Sequence, residues 1–356
     1  MSGKNYCIIM AGGISKRFWP RSRRAKPKQF LDIFGSGRSL LQQTFERLRP
    51  MIPLENFIVI TSRRYADLVS TQLPEIGSHQ ILCEPIGRNT ASSVSYAAYK
   101  LLHSDPEAKM IVTPCDLTIN DEELFRGVVE ECFEFTEHND ALLTIGVKPT
   151  RPDSNYGYIQ VVDPDSISRA KCFIEKPNSE MAQTFLECGE FFWNSGMFIW
   201  KVRDIVSAIE QHLPEHAAQF SKLASTFGTA EEGETLSRVF SECRAISIDY
   251  GVMERADNVY VRTAELGWSD IGTWSSLHQQ SPKDDDGNTM QRGVLTYNTH
   301  NSIISLPKDK VAVVSGLDDY IVIDTEDVLM ICPRSDESLI KNYIHDVTYS
   351  EGDKFI

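Results

Sequence analysis

The chain has 356 residues, 36 basic and 50 acidic, giving a formal net charge of −14, with 41% hydrophobic residues. That acidity repels a nucleic-acid backbone, so a polyanionic partner is not expected. The longest apolar runs, such as Tyr6–Ala11, fall far short of the roughly 20 residues of a membrane helix, and the N-terminus lacks the apolar stretch of a secretory signal. A cytoplasmic protein with no membrane partner is expected, and the eight scattered cysteines, without a C-x-x-C pair, read as reduced thiols.

In chain order, residues 1–150 alternate strand-like apolar runs with helical stretches. Strands are predicted at Tyr6–Ala11, Phe57–Thr61, Gln80–Cys83, Met110–Thr113 and Ala141–Val147. Helices are predicted at Ser39–Arg49, Arg63–Leu73, Ala91–Leu102 and Asp121–His138. Several of these strands are continuously apolar, as burial on both faces of a parallel sheet requires. The alternation predicts a doubly wound α/β sheet, in which ligands bind beyond the carboxyl ends of the strands. Gly12-Gly13, Glu84-Pro85 and Asp116 all follow predicted strand ends.

The middle of the chain adds strand-like Tyr158–Val162, Cys172–Glu175, Phe191–Trp200 and Val259–Thr263, with helices including Val202–His212 and Glu231–Cys243. After the polar stretch Pro282–Asn288 come short Val/Ile-rich segments at Gly293–Tyr297, Ser302–Ser305, Val311–Val314, Tyr320–Asp324 and Val328–Ile331. They predict a small β domain resembling a short β-helix, closed by a helix at Asp336–His345. The expected division is therefore residues 1–285 and residues 286–356.

Charge is segregated. No acid precedes Asp32, and seven of the thirteen residues from Lys16 to Lys28 are basic. Inside an acidic chain such a cluster suits a small anion, although a solvated basic face has the same composition. The loop before it, AGGISKR (11–17), is neither a Rossmann G-x-G-x-x-G nor a Walker loop. Two glycines after a strand still let backbone N–H groups approach an anion, with Arg17 and Lys28 as phosphate partners.

The combination A-G-G-x-x-x-R-F-W-P-x-S-R-x-x-x-P-K-Q-F resembles the signature of sugar-1-phosphate nucleotidyltransferases, and more narrowly of the mannose-1-phosphate guanylyltransferases. The resemblance continues through EPIGRNTA (84–91), PCD (114–116), NYGYI (155–159), FIEKP (173–177), WNSGMF (193–198), SIDYGVME (247–254) and GWSDIG (267–272). It implies a Rossmann-like mixed sheet of nucleotidyltransferase type. It also implies attack of mannose 1-phosphate on the α-phosphorus of GTP, releasing pyrophosphate, with Mg²⁺ held by Asp116 and Asp270. Arg17 and Lys28 join the two aspartates as catalytic residues. The nucleotide is assigned to Ala11, Gly12, Gly13, Ser15, Lys16, Glu84, Arg88, Asn89 and Thr90, with Arg23 a secondary phosphate candidate. The sugar phosphate is assigned to Gly157, Glu175, Lys176 and Asn194. Relatives often dimerise, which makes a homodimer the expectation and the β segment its contact surface.

Several positions depart from the pattern. Ser15 and Lys16 replace the third glycine and the following Ser or Thr of the usual loop; Leu117 stands where His is common, Ser92 where Pro is, and Arg255 where Lys is. Another sugar 1-phosphate (fucose, a heptose or glucose), another NTP, or a catalytically weak paralogue that binds a nucleotide sugar therefore stays open. An isomerase domain found in longer relatives is not in this sequence, so a single activity is expected.

Overall fold

The computed structural model describes residues 4–13, 15–290 and 293–356; Ile14, in the AGGISKR loop, lies outside the described residues. Packing gathers the chain into two compact units. One comprises residues 4–12, 44–115 and 119–268, the other residues 13–43, 116–118 and 269–356.

The larger unit is built on a nine-stranded mixed sheet. Its first strands are β1 (Asn5–Met10), β2 (Phe57–Ser62), β3 (Ile81–Glu84) and β4 (Lys109–Pro114), paired in parallel in the order β3-β2-β1-β4. Residues such as Cys7, Ile8, Ile9, Val59 and Ile111 are buried, as strands covered on both faces require. After β5 (Leu117–Thr118), which belongs to the other unit, come β6 (Leu142–Val147), β7 (Tyr158–Val161), β8 (Ser168–Ile174), β9 (Phe191–Lys201) and β10 (Val259–Thr263). The alternating pattern of the first 150 residues anticipates parallel neighbours, but β9 inserts antiparallel between β4 and β6. Its length allows this: eleven residues from Phe191 to Lys201 span both partners, and Trp193, Phe198 and Trp200 are buried.

Against this sheet pack the helices Asn89–Ser104, Val202–His212, Pro214–Ala224 and Glu232–Glu242, whose Val94, Ile205, Phe220 and Phe240 share one apolar cluster with Val112 and Trp200. Pro214 opens its helix at the first position, where the missing N–H costs nothing. Asn178 caps the helix Ser179–Cys188 by accepting from the Met181 N–H at 2.8 Å.

The smaller unit contains β5, paired antiparallel with β11 (Ser269–Asp270). It also holds the C-terminal strands β12 (Thr289–Met290), β13 (Val294–Tyr297), β14 (Ile303–Ser305), β15 (Ala312–Ser315), β16 (Tyr320–Asp324) and β17 (Leu329–Pro333). Ile303 lies opposite Ile321 and Val294 opposite Ala312, eighteen positions on in both cases, which gives parallel coils as expected of a small β-helix-like segment. The antiparallel β17 ends the stack. The closing helix runs Ile340–Glu351 after a 3₁₀ segment at Arg334–Leu339, later than the predicted Asp336–His345. Phe18, Trp19, Ile271, Trp274, Ile321 and Ile340 form the core of this unit. Among the described residues, no helix is long and apolar enough to cross a membrane.

Candidate active site

The loop after β1 begins with Ala11, whose N–H donates to the Ile60 carbonyl at 2.8 Å and whose carbonyl accepts from the Thr61 hydroxyl at 2.9 Å. Gly13 takes φ +89°, a left-handed conformation that favours glycine. Its carbonyl accepts from the Gln29 amide at 3.1 Å. Ser15, by contrast, sits at φ −82°, ψ 98°, which any residue adopts, and leads into the 3₁₀ turn Lys16–Phe18. The missing third glycine therefore brings no backbone strain at Ser15.

The seven cations of the basic stretch have different fates. Arg21 donates to the Asp32 carbonyl at 2.8 Å, Arg23 pairs with Asp327 at 2.7 Å, and Arg24 pairs with Asp353 at 2.8 Å. The Trp19 indole adds a bond to the Phe355 carbonyl at 2.8 Å. Lys16 and Lys26 are exposed. Arg23, the secondary phosphate candidate, is paired with Asp327 here.

Lys28 is the exception. Its 3₁₀ turn, Lys28–Phe30, buries the side chain to 8% exposure and carries the ammonium past the Phe18 ring, 5.8 Å from its centroid. There Nζ lies 2.7 Å from Asp116 Oδ2, 4.0 Å from Asp270 Oδ1 and 2.7 Å from the Ile271 carbonyl. The β5–β11 ladder brings the two aspartates together. Asp270 is opposite Leu117, and the Ile271 N–H donates to the Asp116 carbonyl at 3.1 Å. A β-carbon on Gly272 would sit 2.9 Å from Asp270 Oδ2 and 3.6 Å from Arg17 Nη2, so both side chains approach this glycine. The smaller unit thus gathers Arg17, Lys28, Asp116 and Asp270 from three separate stretches of sequence.

The donor set suits a small hard cation. The Asp116 and Asp270 side chains are 30% and 31% exposed, so both can be reached from solvent. Among the described residues no three His, Cys, Asp or Glu side chains are grouped to hold a metal. Any further ligands would be phosphate oxygens and water, which is how one or two protein carboxylates ordinarily bind Mg²⁺.

In the larger unit, Gly157, Glu175, Lys176 and Asn194 come together around β7, β8 and β9. The Asn194 N–H donates to the Gly157 carbonyl at 2.8 Å. Gly157 permits this approach because a β-carbon there would collide with the Glu175 carboxylate. Lys176, at φ +49°, folds its ammonium back onto Glu175. The Asn194 amide is oriented on both sides: its nitrogen donates to Asp249 at 2.8 Å, and its oxygen accepts from the Gly196 N–H at 3.2 Å. Burial and then the Asp249 charge raise the Glu175 carboxyl from 4.5 to about 7, against the opposing pull of Lys176. Burial likewise raises Asp249, despite hydrogen bonds and the Lys176 charge that favour its ionised form.

Asp249, Tyr250 and Glu254 were not singled out from the sequence, although SIDYGVME was among the matching blocks. Asp249 opens a π-helical turn, Asp249–Met253, a feature frequent at functional sites. Glu254 accepts from the Glu175 N–H at 2.8 Å, and the Tyr250 hydroxyl donates to the Glu175 carbonyl at 3.2 Å. The signal available in sequence was an acid-bracketed segment whose role only tertiary contacts reveal.

At the end of β3, buried Glu84 accepts from the Ser93 hydroxyl, and a β-carbon on Gly12 would lie 3.5 Å from Glu84 Oε2. Burial raises the Glu84 carboxyl, with the Ser93 bond acting in opposition. Asn89, at φ +63°, begins the following helix and accepts from the Thr90 N–H at 2.8 Å. The remaining candidates here serve the backbone. Arg88 donates to the Phe240 and Ser241 carbonyls at 2.7 and 2.9 Å, and the Thr90 hydroxyl accepts from the Ile248 N–H at 2.9 Å.

Comparison with known proteins adds to this geometry. The nucleotidyl transferase family matches residues 6–287. A mannose-1-phosphate guanylyltransferase of Klebsiella pneumoniae is 31% identical over 98% of this chain and 75% of its own length. One of Salmonella montevideo is 35% identical over 96% and 73%. Among solved structures, a protein of Thermus thermophilus described as "mannose-1-phosphate geranyltransferase" superposes with a TM-score of 0.86 at 28% identity, covering 97% of this chain and 99% of that one.

Proposed function

Because the chain belongs to the nucleotidyl transferase family, we propose that it joins GTP and α-D-mannose 1-phosphate to give GDP-mannose and pyrophosphate. The observation that carries this reading is the convergence of Lys28 with Asp116 and Asp270, beside Arg17. In the reaction a phosphate oxygen of the sugar phosphate forms a bond to the α-phosphorus of GTP. The bond from that phosphorus to the bridging oxygen breaks, and pyrophosphate leaves with the electron pair. The nucleophile is already ionised, so no general base is required. Two polyanions must instead be brought together, and fixed positive charge and alignment lower that barrier.

Each group has a role in this scheme. Arg17 forks onto phosphate oxygens, and Lys28 supplies a point charge to them. Asp116 and Asp270 hold Mg²⁺, which when bound contributes Lewis-acid stabilisation of the triphosphate. Gly12, Gly13, Ser15 and Lys16 present the loop to the nucleotide. Glu84 offers a carboxylate to the N–H edge of guanine, and Arg88, Asn89 and Thr90 fix the neighbouring turn. Glu175 accepts from sugar hydroxyls, Lys176 meets the sugar phosphate, and Asn194 donates its second N–H, with Gly157 leaving room. Leu295, Tyr297 and Val313, 53%, 58% and 65% exposed on β13 and β15, support a homodimer through the C-terminal strands, which sedimentation would check.

Pyrophosphate release with a panel of NTPs and sugar 1-phosphates, with Mg²⁺ present, tests the proposal. Release is expected with GTP and mannose 1-phosphate above all other pairs. Release only with another sugar or nucleotide would replace the substrate assignment. No release with any pair would overturn the enzymatic reading.

A further inference from the structure

The Asp116–Asp270 pair already has a cation. Lys28 Nζ is 2.7 Å from one carboxylate and 4.0 Å from the other, and a third oxygen, the Ile271 carbonyl, fixes it at 2.7 Å. The side chain is buried against Phe18, so the ammonium is held among these oxygens rather than sampling solvent as lysines usually do. Arg17 Nη2 reaches the same glycine, Gly272, as the Asp270 carboxylate. The formal charge of Arg17, Lys28, Asp116 and Asp270 together is therefore zero. A divalent ion approaching this site alone meets no net attraction, and it must share Asp116 with an ammonium already in hydrogen-bond contact.

We propose that Lys28 is the resident cation of the Asp116–Asp270 pair in the nucleotide-free protein, and that it excludes a divalent metal until a polyphosphate draws its ammonium away. This rests on the reading of the site as a metal–triphosphate site. A bound triphosphate brings several negative charges at once. It gives Arg17 and Lys28 a stronger partner and releases the carboxylate oxygens for the metal. Metal and nucleotide then bind with strong positive coupling, which by linkage is reciprocal.

The test uses the full chain and Mn²⁺ as a paramagnetic probe, with free Mn²⁺ read by electron paramagnetic resonance in the absence and presence of GTP. Removing one positive charge at hydrogen-bond distance from a partly exposed site is expected to tighten nucleotide-free Mn²⁺ binding by at least about tenfold after screening. Lys28→Met should thus bind Mn²⁺ without GTP at least tenfold tighter than wild type, and its melting temperature should rise on adding Mn²⁺ where that of wild type does not. Lys28→Gln guards against a packing defect peculiar to Met and should behave alike. Equal nucleotide-free Mn²⁺ affinity in wild type and both variants overturns the proposal. The wild-type titration with GTP then separates the two levels. Protein-dependent Mn²⁺ retention that Asp116→Asn abolishes leaves the metal–triphosphate reading standing, and retention no greater than with GTP alone removes that reading as well.

Discussion

Glu175→Gln should stabilise the protein at alkaline pH while impairing it. Folded, the Glu175 carboxyl is raised from 4.5 to about 7 by burial and by Asp249. The native state therefore holds this proton more tightly than the unfolded chain. The associated stability is fully present below pH 4.5 and is lost as pH rises through about 7. At 1.36 kcal/mol per pH unit the gap sets a ceiling of about 3 kcal/mol above pH 7. A neutral glutamine of the same shape avoids that cost. Loss of the pair with Lys176, whose side chain is 54% exposed, is already contained in that ceiling, because the Lys176 charge helps set the raised value. The variant should then be about 1–2 kcal/mol more stable than wild type at pH 8, and within about 1 kcal/mol of it at pH 5. Urea unfolding followed by tryptophan fluorescence at the two pH values measures this directly. A variant less stable than wild type at pH 8, or a difference that does not change with pH, would refute the reasoning. On function, the KM for mannose 1-phosphate should rise by roughly tenfold, because a charged acceptor becomes a neutral one.

Asp116→Asn and Asp270→Asn should each lower kcat by about 100-fold or more, and near-normal turnover would remove them from the metal site. Gly157→Ala places a β-carbon against the Glu175 carboxylate; it should raise the KM for the sugar phosphate more than that for GTP in steady-state assays. Arg88→Ala removes the bonds to Phe240 and Ser241, and should cost about 1–3 kcal/mol in urea unfolding. A larger effect on the KM for GTP than on stability would return Arg88 to the nucleotide contacts.

The layout of the sheet was largely legible because burial writes itself into sequence. The predicted strands at residues 57–61, 110–113 and 259–263 lie within one residue of β2, β4 and β10 at either end, because the first two are short apolar runs and the third alternates apolar and polar residues. Less legible was anything set by partners distant in sequence. That β9 would divide β4 from β6 depends on which edges are free, not on its own composition. The helix Pro214–Ala224 lies outside the predicted helices. In the site, residue types announced Asp116 and Lys28 as charged but not as neighbours. The seven cations of the basic stretch look equivalent in sequence, yet one is buried on two aspartates while Arg23 and Arg24 pair with acids some three hundred positions later. Asp249 shows the same limit, since only the fold reveals that it orients Asn194.

The short β5–β11 ladder has a consequence for the order in which the protein matures. It joins residues 117–118 to residues 269–270 through few hydrogen bonds. Closing a loop on the order of 150 residues costs about 4 kcal/mol in chain entropy beyond a constant term. So small a ladder cannot offset that alone. It must wait until β4 and β10, the strands that lead into its two halves, are fixed in their common sheet. During synthesis the sequence holding Asp116 emerges early but has no partner aspartate until residue 270 has followed, so the aspartate pair cannot precede the sheet that carries it.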